Sequence, residues 1–221
     1  MRFAIAALLV CVVCVPPVHA GAWLREHKTS FLSFGSTVRG NKVSLPDYET
    51  KIYAEYGLFP GMTLGVDVND VRAKSAHALL FARFPIGKAD NRTRYAVEIG
   101  VGKHRQQMQW FPMYKAALAV GRGFESRWGN GWMGAELAYE VRSALPDPAL
   151  KLDLVAGLSS GPRIRPLLKL ETAYVPNQPF SWSFTPGIMF DVGESIWVLG
   201  LEGRSATQRT IGLTFNIWRS F

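Results

Sequence analysis

Along most of this chain, hydrophobic and polar side chains alternate with a period of two. Ile52, Ala54, Tyr56 and Leu58 share one parity, while Glu49, Lys51, Tyr53 and Glu55 share the other. The same division recurs in Leu64, Val66 and Val68 against Thr63, Gly65 and Asp67, and in Tyr95, Val97, Ile99 and Val101 against Arg94, Ala96 and Glu98. Successive side chains of a strand point to opposite faces, so this pattern predicts strands with one apolar and one polar face. Strands are expected over 28–38, 47–59, 62–70, 75–86, 93–103, 113–124, 131–143, 150–159, 164–175, 180–191, 195–203 and 207–221. Pro60-Gly61, Gly129-Asn130-Gly131, Gly161-Pro162, Pro176-Asn177 and Gly193 punctuate them as turns. No helical stripe lasts beyond two turns after residue 21, and nothing marks a second domain.

Two architectures bury such strands. A soluble sandwich turns its apolar parity inward, whereas an outer-membrane barrel turns it to lipid and lines a lumen with the polar parity. Three features favour the barrel. Each segment is close to the roughly 10 residues that a tilted spanning strand needs. Aromatic residues recur near strand ends, at Tyr48, Phe59, Phe84, Trp110, Phe111, Trp128, Trp132, Trp182, Trp197 and Trp218, as interfacial girdles require. The polar parity carries both charge signs, and the expected lumen-lining charges are Glu55, Asp67, Arg83, Glu98, Lys115, Glu136, Glu140, Lys151, Lys169, Glu171, Asp191 and Glu202. The fold class is therefore all-β: a closed antiparallel up-and-down transmembrane β-barrel of about 12 strands (10–12).

Composition agrees. Of 221 residues, 48% are hydrophobic and 19% charged, with 21 glycines and 12% aromatics, a profile of strands and turns rather than of a helix bundle. Residues 1–20 read as a signal peptide: Arg2, an apolar run from Ala4 to Val18, and the small-residue pair Val18-His19-Ala20 ahead of a cleavage site. The domain plan is thus a leader over 1–20 and a barrel over 21–221. Both cysteines, Cys11 and Cys14, fall in the leader, so the mature chain holds neither a disulfide nor a thiolate metal site, and no cofactor is expected.

The last strand carries a resemblance. Ile211, Leu213, Phe215 and Ile217 precede a terminal Phe221 on one parity, which resembles the C-terminal signal of bacterial outer-membrane β-barrel proteins. The pattern departs at Arg219, which can snorkel to the interface. The resemblance implies residence in a Gram-negative outer membrane, contact with its lipid and lipopolysaccharide, and insertion by the barrel assembly machinery through Phe221. Gly21-Ala22-Trp23 and the hairpin Tyr53-Ala54-Glu55-Tyr56-Gly57-Leu58 … Thr63-Leu64-Gly65-Val66 are similar to small uncharacterised barrels and to transporters linked to aromatic degradation, a resemblance that brings no catalytic motif.

Function is read from the charges. The net charge is +8, and connections on the side away from the termini carry Arg39, Lys42, Arg72, Lys74, Lys103, His104, Arg105 and Arg204. These fit either a rim for lipopolysaccharide phosphates or anionic solutes, or ordinary solvated loop charges. Residues 103–113 are long enough to fold inward as a constriction. The leading expectation is a narrow channel or transporter for small solutes of unknown identity, anionic ones among them. The alternatives are a closed structural or lipopolysaccharide-binding barrel and, behind it, a surface lipid hydrolase. Ser75 and His77 share a strand face, but their own strand offers no carboxylate to orient the imidazole, so no catalytic residue is expected. Glu136 and Glu140, followed by Arg142, read as part of an ion-pair network rather than an acid–base pair. The basic charge by itself admits a nucleic-acid partner, but export to the envelope argues against one, and none is expected.

Overall fold

In water, a strand with one apolar face must hide that face, and in lipid it must also hide every backbone N–H and C=O. Only a closed ladder satisfies the second demand. The computed structural model describes residues 21–40, 46–72, 74–88, 92–106 and 108–221. The expected leader, together with Lys42, lies outside them. Twelve strands form: β1 (Ser30–Gly40), β2 (Asp47–Phe59), β3 (Met62–Val71), β4 (Ser75–Ile86), β5 (Thr93–Gln106), β6 (Gln109–Ser126), β7 (Gly129–Arg142), β8 (Ala149–Leu158), β9 (Arg165–Tyr174), β10 (Ser181–Val192), β11 (Ser195–Ser205) and β12 (Arg209–Ser220). Each pairs antiparallel with its sequence neighbours, and β12 returns to β1, so the sheet closes. Reciprocal bonds between Ser30 and Phe221, N···O 3.1 and 3.0 Å, extend that seam to the last residue.

The strands occupy the twelve alternating segments. The largest departure is the β5–β6 hairpin, whose pairing runs unbroken from Gly102↔Met113 to Gln106↔Gln109. Residues 103–113 therefore form no inward loop, which corrects that expectation: Val101, Lys103 and Arg105 on one parity and Gly102, His104 and Gln106 on the other simply prolong the ladder.

The outer wall is apolar. Leu80, Ile99, Val101, Leu118, Leu137, Leu154, Leu201 and Leu213 are all exposed on it. The row Ile211, Leu213, Phe215, Ile217, Arg219 and Phe221 faces outward, and Thr214, Asn216 and Trp218 face in against β1. Tyr48, Phe59, Trp110, Trp128 and Trp182 stand exposed near strand ends, in keeping with interfacial girdles. Trp132, Trp218 and Phe111 do not belong there. Trp132 and Trp218 are buried inside the barrel, and Phe111 packs against the buried His104 with ring centroids 5.8 Å apart. Parity explains the correction: Trp132 stands two and four residues from inward Gly134 and Glu136, and Trp218 two from inward Asn216.

The barrel's termini-side half is filled by a hydrophobic core of Trp23, Phe31, Trp132, Leu167, Met189, Val198 and Trp218, with Tyr53, Val155 and Ile196 packed against it. Four of these seven core side chains, Trp23, Phe31, Trp132 and Trp218, are aromatic.

Candidate functional site

The unpredicted element of the lumen is residues 21–29, which precede β1 and run inside the barrel rather than away from it. Lys28 N donates to Gly57 O (2.8 Å), Gly57 N donates to Thr29 O (3.0 Å), and Arg25 N donates to the fully buried Thr63 Oγ1 (2.8 Å). Arg25 Nε also donates to Glu55 on β2. Glycines make the room. A Cβ on Gly121 would lie 2.2 Å from the Trp23 ring, and one on Gly57 would lie 1.9 Å from the Glu26 carbonyl oxygen. Sequence reading missed this segment because it has no period. The accessible signal was the inward parity of Gly121, a strand position with no side chain where Trp23 needs space.

From Arg25 a relay of ion pairs crosses the barrel. Glu55 accepts from Arg83 on β4; Arg83 also reaches Glu98 on β5 at 2.6 Å and Tyr53 Oη at 2.9 Å. Lys115 on β6 then joins Glu98 (2.9 Å) to Glu136 on β7 (2.6 Å). Glu55, Arg83 and Glu98 are each 4% exposed or less, so these charges depend on one another. Glu140 holds Arg142 (2.8 Å) and Lys151 on β8 (2.7 Å). No paired acid–base geometry arises between Glu136 and Glu140, each of which is tied to its own lysine.

A second network shares β2 with the first. Arg39 on β1 joins Glu49 on β2 to Glu202 on β11, while Asn69 donates to Glu49 and Arg204 stands 3.9 Å from it. Lys51 on β2 lies 3.5 Å from Glu171 on β9, with β1, β12, β11 and β10 between their strands in the sheet order, so this pair spans the lumen. Ser183 donates to Glu171 at 2.9 Å. Arg39, His104 and Arg204 are therefore inward residues, not loop charges on an outer rim. Arg39 shares a parity with Gly35 and Thr37, and His104 shares one with Glu98. Both strands run past the assumed loop boundaries.

Other expected residues have separate fates. Asp191 sits at the termini-side mouth, half exposed, held by Arg165 at 2.6 and 2.7 Å. Asp67 lies 3.3 Å from His77 Nε2, so the orienting carboxylate that β4 lacks comes from β3, while no hydrogen bond joins Ser75 to His77. Lys169 forms no ion pair among the described residues; its ammonium lies 5.6 Å from the centre of the Trp218 ring. It borders a lumenal cavity of about 40 Å³, lined also by Lys51, Glu171, Glu202, Thr185, Thr214 and Asn216 above a floor of Leu167 and Val198. The cavity hugs the wall where Gly35, Gly187 and Gly200 present no side chain.

Among the described residues no group of three or more His, Cys, Asp or Glu side chains is arranged to hold a metal ion. The rim beyond the lumen carries Lys74 paired with Asp47 and Arg105 paired with Asp70 at 2.8 Å.

No protein-family model matches the chain, and no curated protein matches it. Solved structures do. The NanC porin superposes with a TM-score of 0.64 at 9% identity, covering 84% of this chain and 98% of that one. The KdgM porin in complex with disordered oligogalacturonate gives 0.57 at 9% identity, covering 86% and 99%. The COG4313 outer membrane channel from Pseudomonas putida F1 gives 0.53 at 9% identity, covering 92% and 100%. The chain has the fold of a small outer-membrane β-barrel. At these identities the likeness is one of architecture, so function rests on the lumen.

Proposed function

We propose that this protein is a narrow outer-membrane channel for small solutes, preferably anionic, held closed in the present state by residues 21–29 and the cross-lumen ion pairs. The observation that carries the reading is the construction of the obstruction. The wall is a continuous ladder, but the segment filling its termini-side half is irregular chain, attached through side chains and a few backbone bonds. Such an element can leave without breaking a single strand pair. The solved porins and channel of this architecture support the same direction, and a twelve-stranded barrel lies between the packed eight-stranded barrels and the open sixteen-stranded porins in width. The anion preference is supported by Lys169, whose ammonium borders the cavity and forms no ion pair among the described residues.

Single-channel recording of the refolded barrel in a planar bilayer tests this. The expected result is brief, low-conductance openings in the intact chain and sustained ones after deletion of residues 21–28. A deletion variant that stays sealed at every salt concentration would refute it. A second reading has one observation in its favour: the lumenal acids and bases largely pair off, as in a closed structural barrel with a lipopolysaccharide-binding rim at Lys74, Lys103 and Arg105. That barrel would not conduct with the segment removed.

A further inference from the structure

Across β7, β8 and β9 the inward residues Glu136, Asp153 and Glu171 stand directly opposite one another, three carboxylates in one row. Like charges in that position repel, so the row requires cations. Lys115 serves Glu136 at 2.6 Å and Lys51 serves Glu171 at 3.5 Å, but Asp153 has no ion-pair partner among the described residues. The cations facing the row from β6, β8 and β9 are otherwise engaged: Lys115 by Glu98 as well, Lys151 by Glu140, and Lys169 by the Trp218 ring.

Gly21 lies beside this row. Glu136 Oε2 is 3.4 Å from the place a Cβ on Gly21 would take, and Ala119 Cβ is 3.5 Å from it. The α-nitrogen of Gly21 is bonded to the same α-carbon. Within an uncleaved chain that nitrogen is a neutral amide. Hydrolysis of the Ala20–Gly21 bond adds water across it, leaving a carboxylate on the departing leader and a primary amine on Gly21, protonated below its usual pKa of about 8.

We propose that the α-ammonium released by leader removal is the missing cation of the carboxylate row, pairing with Glu136 and Asp153 and thereby seating residues 21–29 in the lumen. Proteolysis during export then arms the closure of the barrel: the charge that locks the segment does not exist until the leader is gone. Its consequence for conductance rests on the channel reading, whereas the pairing itself does not.

The test uses the exported barrel purified from membranes. Peptide mass mapping should place its first residue at Gly21. A water-soluble acylating reagent at neutral pH should label that amine roughly tenfold more slowly in the folded barrel than in the unfolded chain, the ratio given by about 1.4 kcal/mol of pairing. Glu136→Gln/Asp153→Asn, checked for folding by its heat-dependent mobility in detergent, should label at the unfolded rate and show longer openings in a bilayer. A conservative Glu136→Asp variant should keep the protection. A first residue other than Gly21, equal labelling of folded and unfolded wild type, or continued protection in the double variant would each overturn the pairing. If the amine is protected in the wild type and freed in the double variant while conductance stays at zero in both, the channel reading fails and the pairing stands.

Discussion

Truncating Trp23 separates the lumenal segment from the wall that encloses it. The side chain is 8% exposed and belongs to the core formed with Trp132, Trp218 and Met189. Removing a buried aromatic of this kind costs about 3–5 kcal/mol, made up of lost transfer energy and the cavity left behind. The strand ladder does not include residue 23, so that loss falls on the seating of residues 21–29 rather than on the barrel. The ratio of seated to unseated segment should then drop between roughly a hundredfold and a few thousandfold. Gly121→Val approaches the same equilibrium from the wall, since its side chain would occupy the space of ring atoms now 2.2–2.8 Å from the Cβ position. In planar bilayers both variants should raise open probability steeply while leaving the heat-dependent mobility of the barrel unchanged. An open probability indistinguishable from wild type in both variants, with the barrel folded, would refute the assignment of the segment as the obstruction.

Four further outcomes follow from the same geometry. Arg83→Met leaves Glu55 and Glu98 buried without their shared cation and should destabilise the barrel by about 3–5 kcal/mol in urea unfolding from lipid vesicles, whereas the triple change with Glu55→Gln and Glu98→Gln should recover much of the loss. Leu154→Arg on the outer wall should cost about 2–4 kcal/mol in the same assay and Asp153→Asn much less, the reverse order showing that β8 is turned the other way. Lys169→Glu in the 21–28 deletion background should shift the reversal potential in a salt gradient toward cations; an unchanged potential would remove Lys169 from the path. Deleting Phe221 should abolish heat-modifiable barrel in membranes, while Arg219→Tyr, which gives up the exposed pair with Glu194 at 2.5 Å and the contact of the guanidinium with the Phe221 ring, should assemble as wild type.

What the sequence disclosed was whatever has period two. Alternation located every strand, and it also placed Glu55, Arg83, Glu98 and Lys115 on one parity with their eventual partners, because cross-strand neighbours share a face. The errors came from trusting strand ends over parity. Position near a strand end marks Trp132 and Trp218 as girdle aromatics, yet each shares its parity with inward residues. Arg39 was assigned to a loop although it continues the row of Gly35 and Thr37. Residues 21–29 are illegible for another reason: their bonds to Glu55 and Thr63 join chain positions 30 and 38 residues apart without any repeating pattern. A bridge such as Lys51 to Glu171 needs the closed sheet before the two side chains face each other at all.

The seam between β1 and β12 joins the first strand of the chain to its last, so every residue must be across the inner membrane before the barrel can shut. Hydrogen bonds that hold residues 21–29, by contrast, run to Glu55 and Gly57 on β2 and Thr63 on β3, and the Trp23 ring lies against Gly121 on β6. Pairings between adjacent strands close short loops and form early, while the pairing of the two ends bears the largest loop-closure entropy and comes late. A curled half-sheet can therefore gather around the segment while its final strands are still being delivered. On this view Trp23 serves assembly as a mandrel, setting the curvature on which the remaining strands are wound, and the release proposed for the channel would be a second use of the same residue.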